Sequence, residues 1–313
     1  RAIIDEQVWM TVFLQHRRRN ALRDPESWKQ EYARRDSWSR SWRQLITGAH
    51  MPSAGMRLGG HANKLRRFAL KMMTGAQSSP PSLYATHVVS ASRAARNEPG
   101  VFATISAAIA KARPFDVVLI HPGMYCERLR LDKPIELIGA GGLGGAVLTA
   151  FDGPTIEVNG RVACRIAGLS LQQRAQNDGG AMSGAVLVKG GAMLILEESV
   201  VTSETGHCVV LQGADSCGYI LHNQIHQGKG VGLLVCDHAK GVIEDNTISS
   251  NGRAGIAILS GGDPLVCANR IYDGMDSGVL ISERGRGRVE DNDIYGNRRA
   301  GVAILKEGAP LVK

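Results

Sequence analysis

Apolar positions in the second half of the chain recur every 23 residues. With Gly232, Gly255, Gly278 and Gly301 aligned, the rest falls into columns. One reads Leu233, Ile256, Val279, Val302; the next reads Val235, Ile258, Ile281, Ile304. A third reads Ile220, Ile243, Val266, Val289, Val312. An asparagine column, Asn223, Asn246, Asn269 and Asn292, is followed two residues on by Ile225, Ile248, Ile271 and Ile294. Columns held in phase over several periods define a repeat array. Within a period, apolar and polar residues alternate as in strands, and no stretch has room for a helix of three turns. Two or three short strands separated by Gly, Asp-Pro, Arg-Gly and Asn-Arg corners predict one coil of a parallel β-helix. The apolar columns become stacked ladders inside it. The asparagines become a structural amide ladder, each side chain bonding to the next rung at about 4.8 Å spacing. Ser199 takes the ladder position ahead of Asn223.

The same pattern marks boundaries. A solenoid over 99–313 opens with an amphipathic helix at 102–112 that caps its end. Irregular coils follow around Ile156 and Val186, with excursions at 143–146 and 172–183. Residues 51–98 read as a linker, with Met51-Pro52-Ser53 and Ser79-Pro80-Pro81 as loop chemistry and a short basic helix at 62–73. Residues 1–50 read as helical, with Asp24-Pro25-Glu26 starting a helix and Gly48 ending the last one. The final Leu311-Val312-Lys313 stops in mid-coil, which leads us to expect further coils.

Charge separates the two parts. Residues 1–75 hold all four tryptophans and 15 Lys+Arg against 6 Asp+Glu; the remainder holds 22 against 23. The net charge of +8 therefore belongs to the N-terminal segment. Arg17-Arg18-Arg19 reads as a solvated helix face, with docking on RNA or an acidic partner as the alternative. The cysteines (Cys126, Cys164, Cys208, Cys217, Cys236, Cys267) form no Cys-x-x-Cys pair and read as reduced, so the chain is expected inside the cell, in cytoplasm or nucleus. No apolar run is long enough for a membrane span.

Chemistry is harder to find in the sequence. A glycoside hydrolase needs two carboxylates about 5–10 Å apart. Asp245 and Asp291 precede ladder asparagines two coils apart, with Ala268 between them, and Glu244 and Glu290 flank Cys267 in the same way. That alternation reads as surface patterning. His207, His222, His226 and His238 have different offsets within the period and predict no metal site. A non-catalytic chain with no cofactor and no metal is expected. The charged corners stack into lines, and Arg284, Arg286, Arg288, Arg298 and Arg299 form the candidate site for an acidic protein partner.

The wording of the coils resembles a known family. Residues 238–246, His-Ala-Lys-Gly-Val-Ile-Glu-Asp-Asn, and 287–297, Gly-Arg-Val-Glu-Asp-Asn-Asp-Ile-Tyr-Gly-Asn, are similar to coils of the F-box/β-helix family, the F-box only protein eleven-like group. These carry β-helix repeats of the carbohydrate-binding and sugar hydrolase type. Residues 24–32 resemble the last helix of an F-box, and residues 41–50 the segment joining F-box to solenoid. The resemblance implies a right-handed, pectin-lyase-like parallel β-helix. It also implies a substrate-recognition subunit of a cullin-type ubiquitin ligase, with a Skp-type adaptor, a cullin and a protein substrate as partners. A scaffold subunit of a large assembly is the alternative, and a polysaccharide lyase or hydrolase the second.

Overall fold

Alternating β-branched and polar residues make each short run a strand, and the Gly, Asp and Asn corners end it after a few residues. In a computed structural model, which describes residues 85–92, 100–142, 144–151, 153–175 and 184–313, three such strands complete one coil. One regular coil runs through β18 (Lys240–Glu244), β19 (Thr247–Ser249) and β20 (Ile256–Ile258). The next repeats it as β21 (Asp263–Cys267), β22 (Arg270–Tyr272) and β23 (Val279–Ile281). Equivalent strands pair in parallel, with Lys240 opposite Asp263, Thr247 opposite Arg270 and Ile256 opposite Val279. Stacking generates sheets of eleven, eight and eight strands, here A, B and C, in a right-handed parallel solenoid. The apolar columns point inward as one continuous core that includes Leu137, Ile166, Leu196, Ile220, Ile243 and Val266.

Sheet A reaches further toward the N-terminus than a boundary at residue 99. Its β1 (Thr86–Val89) pairs with β2 (Val101–Phe102) on one side and β3 (Val117–Ile120) on the other. The expected cap helix is α1 (Ile105–Lys111), and it buries Ile105, Ala108 and Ile109 in the solenoid core. The Ala107 amide donates to the Thr104 hydroxyl at 3.2 Å. The Glu127 carboxylate accepts from the Ile105 and Ser106 amides at 2.8 and 2.9 Å, so the free N–H groups of the first turn are satisfied. Asp116 fastens β1: it accepts from the Ala85 amide at 2.9 Å and the Arg113 amide at 2.8 Å, and pairs with His87 Nε2 at 2.9 Å. Burial would raise its pKa, but the His87 bond and the two amides outweigh burial and hold the carboxyl below its usual range.

The asparagine ladder forms as expected. Asn269 Oδ1 accepts from the Asn246 backbone N–H at 3.0 Å and from Asn246 Nδ2 at 2.9 Å. Asn246 serves Asn223 in the same way, and Asn292 serves Asn269. The Ser199 amide donates to Asn223 Oδ1 at 3.0 Å, so the serine tops the column. Each residue ahead of a ladder asparagine (His222, Asp245, Ala268, Asp291) has φ between 53 and 57°, the left-handed turn that swings the amide inward.

Two further features lay beyond the sequence pattern. A second amide column alternates with glycine: the Gly228 amide donates to Asn251 Oδ1 at 2.9 Å and the Gly274 amide to Asn297 Oδ1 at 3.0 Å. A Cβ on Gly274 would lie 2.9 Å from Asn297 Oδ1, which is why glycine alternates with asparagine. In the irregular coils, Arg165 lies buried between Glu136, at 3.0 Å, and Glu197. Both carboxylates raise its pKa against the opposing effect of burial. Segments 1–50 and 51–84, with their expected helices, tryptophans and basic face, lie outside the described residues, as do residues 176–183 of the long excursion.

Candidate functional site

Sheet C strands turn into sheet A strands through four stacked tight turns, at residues 236–239, 259–262, 282–285 and 305–308. Each is closed by a bond from its fourth residue to its first: Ala239 N to Cys236 O at 3.1 Å, Gly262 to Leu259 at 2.9 Å, Gly285 to Ser282 at 2.9 Å and Gly308 to Leu305 at 3.0 Å. Both central residues have positive φ in every turn: 53 and 62° at Asp237-His238, 48 and 74° at Ser260-Gly261, 53 and 61° at Glu283-Arg284, and 41 and 63° at Lys306-Glu307. That is the requirement of a type I′ turn, which ordinarily takes Gly, Asn or Asp. Bulkier residues there cost on the order of 1–3 kcal/mol each. Rung-to-rung bonds hold them in place, from His238 N to Ser260 O, Gly261 N to Glu283 O and Arg284 N to Lys306 O, at 3.1–3.2 Å.

The turns line a groove of about 990 Å³ along the C–A corner. Repeat geometry sorts its side chains into three columns. The first reads Asp237, Ser260, Glu283, Lys306; the second His238, Gly261, Arg284, Glu307; the third Lys240, Asp263, Arg286. Gly261 leaves room for the His238 ring, since a Cβ would lie 2.5 Å from His238 Nδ1. The first two columns largely satisfy themselves. Glu283 accepts from the Ser260 hydroxyl at 3.0 Å and lies 3.9 Å from Lys306 Nζ. Arg284 lies 3.6 Å from Glu307, and Gln212 donates to Asp237 at 2.8 Å. Asp237 and Glu283 share a column two coils apart, roughly 9–10 Å by strand spacing.

The expected Arg site divides between places. Arg284 and Arg286 lie in the groove. Arg288 belongs to β24 (Arg288–Glu290) of sheet A and pairs with Glu290 at 2.6 Å. Arg298 and Arg299 precede β26 (Val302–Ile304), at the opposite end of the sheet C strands, with Arg299 3.6 Å from Asp276. The stacking of corners into lines was legible from the period; the separation of two lines by a sheet was not visible in linear charge density. Asp245 lies outside the groove, at the A–B corner, 2.7 Å from His222 Nδ1. His207 Nδ1 accepts from the Val231 amide, and His226 lies in sheet B, so of the four histidines only His238 lines the groove. Among the described residues no group of three or more His, Cys, Asp or Glu is placed to hold a metal ion. Burial pushes the Cys164 thiol up to about 12; burial and then the Glu244, Glu290 and Asp291 charges push Cys267 to about 12 as well. Neither thiol is a nucleophile at neutral pH.

Sequence reasoning passed over Asp237 and Glu283 as a pair. The signal was present, since both stand at the same offset two periods apart, but nothing in the sequence shows that the column faces a groove.

The solenoid is similar to several solved structures. Pectin methylesterase PemA from Erwinia chrysanthemi matches at 14% identity and a TM-score of 0.49, covering 69% of this chain and 82% of that one. Pectate lyase Pel9A matches at 8% identity and a TM-score of 0.47, covering 72% and 79%. The A-module of the Azotobacter vinelandii mannuronan C-5 epimerase AlgE6 matches at 16% identity and a TM-score of 0.44, covering 66% and 68%. The expectation of a non-catalytic subunit is corrected: the structures the solenoid is similar to are titled as a methylesterase, a lyase and an epimerase, and a fold by itself neither assigns nor excludes chemistry. The family model described as the right handed beta helix region matches residues 155–312, the solenoid half of the expected resemblance and not its F-box half, and the chain belongs to that family.

Proposed function

We propose that this solenoid acts on an acidic polysaccharide bound along the C–A groove, as a lyase or hydrolase. One observation carries the reading: Asp237 and Glu283 share a column two coils apart in a groove that also presents Lys240, Arg284, Arg286 and Lys306. Their separation of roughly 9–10 Å by strand spacing meets the upper end of the interval of about 6.5–9.5 Å used by inverting glycosidases. In that chemistry one carboxyl group donates its proton to the glycosidic oxygen as the C–O bond breaks. The other takes a proton from the water that attacks the anomeric carbon from the opposite face. The cations supply what a lyase or hydrolase of uronates needs in addition, charge-assisted bonds to substrate carboxylates.

The test incubates the purified chain with acidic and neutral polysaccharides and follows reducing ends and unsaturated products. Product is expected from an acidic polymer. Glu283→Gln and Asp237→Asn should each lower the rate about 100-fold or more, with the urea midpoint unchanged. Absence of product from every polymer, or product formation that ignores both substitutions, would overturn the reading.

A further inference from the structure

Exposed apolar side chains collect on sheet B, across the solenoid from the C–A groove. Met124 of β4 (Gly123–Cys126), Phe151 of β7 (Ala146–Phe151) and Tyr295 of β25 (Asp293–Tyr295) are exposed on its outer face, and Met275 is exposed at its B–C corner. The other large apolar residues exposed among the described residues lie at 304–312, in the last coil. Tyr272 stacks on Tyr295 with ring centroids 5.0 Å apart, and Arg270 donates to the Tyr295 hydroxyl at 2.9 Å. The two edges of this face carry opposite charge, coil by coil. One coil has Asp245 at the A–B edge and Arg253 at the B–C edge. The next reverses the signs, with Arg270 at the A–B edge and Asp273 and Asp276 at the other. The third restores them, with Asp291 and Asp293 facing across the sheet from Arg298 and Arg299. Backbone register fixes these heights: Thr247, Arg270 and Asp293 pair in one column, and the Met275 and Arg298 amides donate to Asn251 O and Gly274 O at 2.9 Å. Asp245 is held by His222 and Arg299 lies 3.6 Å from Asp276, whereas Arg253, Arg298 and Asp291 make no ion pair among the described residues.

We infer that sheet B is the interface of a homodimer whose two-fold axis runs parallel to the solenoid axis. That rotation keeps every coil at its own height and exchanges the two edges. Asp245 then meets the other copy's Arg253, Arg270 meets its Asp273 and Asp276, and Asp291 and Asp293 meet its Arg298 and Arg299. On the middle coil the exposed Ala268 also comes opposite Met275. Other arrangements fail on charge. A two-fold perpendicular to the solenoid axis brings Arg270 onto its own equivalent and Asp245 onto Asp291. A slip of one coil puts Arg270 opposite Arg253 or Arg298 and so opposes like charges, which selects register as well as partner. Between the charged edges lie the apolar side chains, and Tyr, Met and Arg are the residues enriched in protein interfaces. The eight strands of sheet B span about 34 Å along the axis, and a face roughly 20 Å wide with its corners would bury on the order of 700 Å² per copy, close to the ~800 Å² per partner of a specific interface. The dimer leaves the C–A groove open on both copies, so the inference does not depend on the polysaccharide reading.

The experiment is sedimentation equilibrium of the full chain over a concentration series. A dimer is expected, with a dissociation constant that rises about tenfold or more between about 0.05 and 0.5 M salt. Arg253→Glu combined with Arg298→Glu makes both edges acidic, and Asp245→Arg combined with Asp291→Arg makes both basic. Each double variant alone should dimerise at least about tenfold more weakly. An equimolar mixture of the two should regain the dimer, because every acidic edge then meets a basic one. Met275→Glu, which changes an exposed side chain on the middle coil, should weaken the dimer by a similar factor. Circular dichroism and urea midpoints show whether each variant folds, and the wild-type and Met275→Glu arms decide the matter if a double variant does not. A wild-type chain that stays monomeric at low salt overturns the inference. So does a dimer indifferent to Met275→Glu and to both double variants, or a mixture of folded double variants that remains monomeric.

Discussion

Asn269 is the rung on which the amide ladder can be tested most sharply. It is fully buried, and its side chain makes five hydrogen bonds. Its oxygen accepts from the backbone N–H and the Nδ2 of Asn246; its Nδ2 donates to Ile243 O, Cys267 O and Asn292 Oδ1 at 2.8–2.9 Å. Asn269→Ala removes all five, but the neighbours do not lose equally. Asn246 Nδ2 keeps its bonds to Ile220 O and Glu244 O, and Asn292 Oδ1 keeps the Asn269 amide. The Asn246 amide, whose acceptor was Asn269 Oδ1, is left buried and unbonded, at about 1–3 kcal/mol. With two carbonyls also losing a donor, the cost should approach about 3 kcal/mol. Asn269→Asp preserves shape and one acceptor but points carboxylate oxygen at Ile243 O, Cys267 O and Asn292 Oδ1. That places an unpaired charge among acceptors and should cost more, about 3–5 kcal/mol. Asn292→Ala, at a half-buried rung, should cost about 1 kcal/mol because water can replace the lost amide. Urea unfolding measures the three differences, and hydrogen exchange at the Asn246 amide locates the first. An Asn269→Asp variant as stable as the original chain would refute the reasoning, as would an end rung costing as much as the central one.

Two further outcomes follow from packing and protonation. Gly255→Ala should destabilise by about 1–3 kcal/mol, because its Cβ would lie 2.4 Å from Ile271 Cγ2 and 2.8 Å from Gly278 O. Gly301→Ala, in the same column, should be near neutral because its nearest neighbour lies 3.7 Å away; equal urea midpoints for the two variants would contradict this account. Asp116 has a depressed pKa, so the stability it contributes is present above its unfolded value of about 3.9 and is lost as pH falls through the lower folded value. The deficit of Asp116→Asn relative to the original chain should therefore be full at pH 7 and shrink below about pH 4; a deficit that stays constant down to about pH 2 would count against the His87 and amide interactions as its source.

The sequence by itself determined the solenoid and its regular columns. Leu233, Ile256, Val279 and Val302 pair rung to rung as their spacing dictates, and the asparagines follow the same rule. A strand slip of one residue would turn every apolar column outward, so a strict 23-residue period leaves one register open. Where the period is irregular, the sequence loses that power. Arg165 meets Glu136 and Glu197 at separations of 29 and 32 residues, which no column predicts. The groove was hidden for another reason. Its turns place Glu283-Arg284 and Lys306-Glu307 at positive φ, a conformation those residues do not favour alone. Only the bonds from the turns stacked above and below hold them there. Tertiary structure likewise decided which charges share a face: Arg286 and Arg298 are close in sequence, but a sheet C strand runs between their corners. Asp237 and Glu283 are two periods apart, and the coil brings them to one wall.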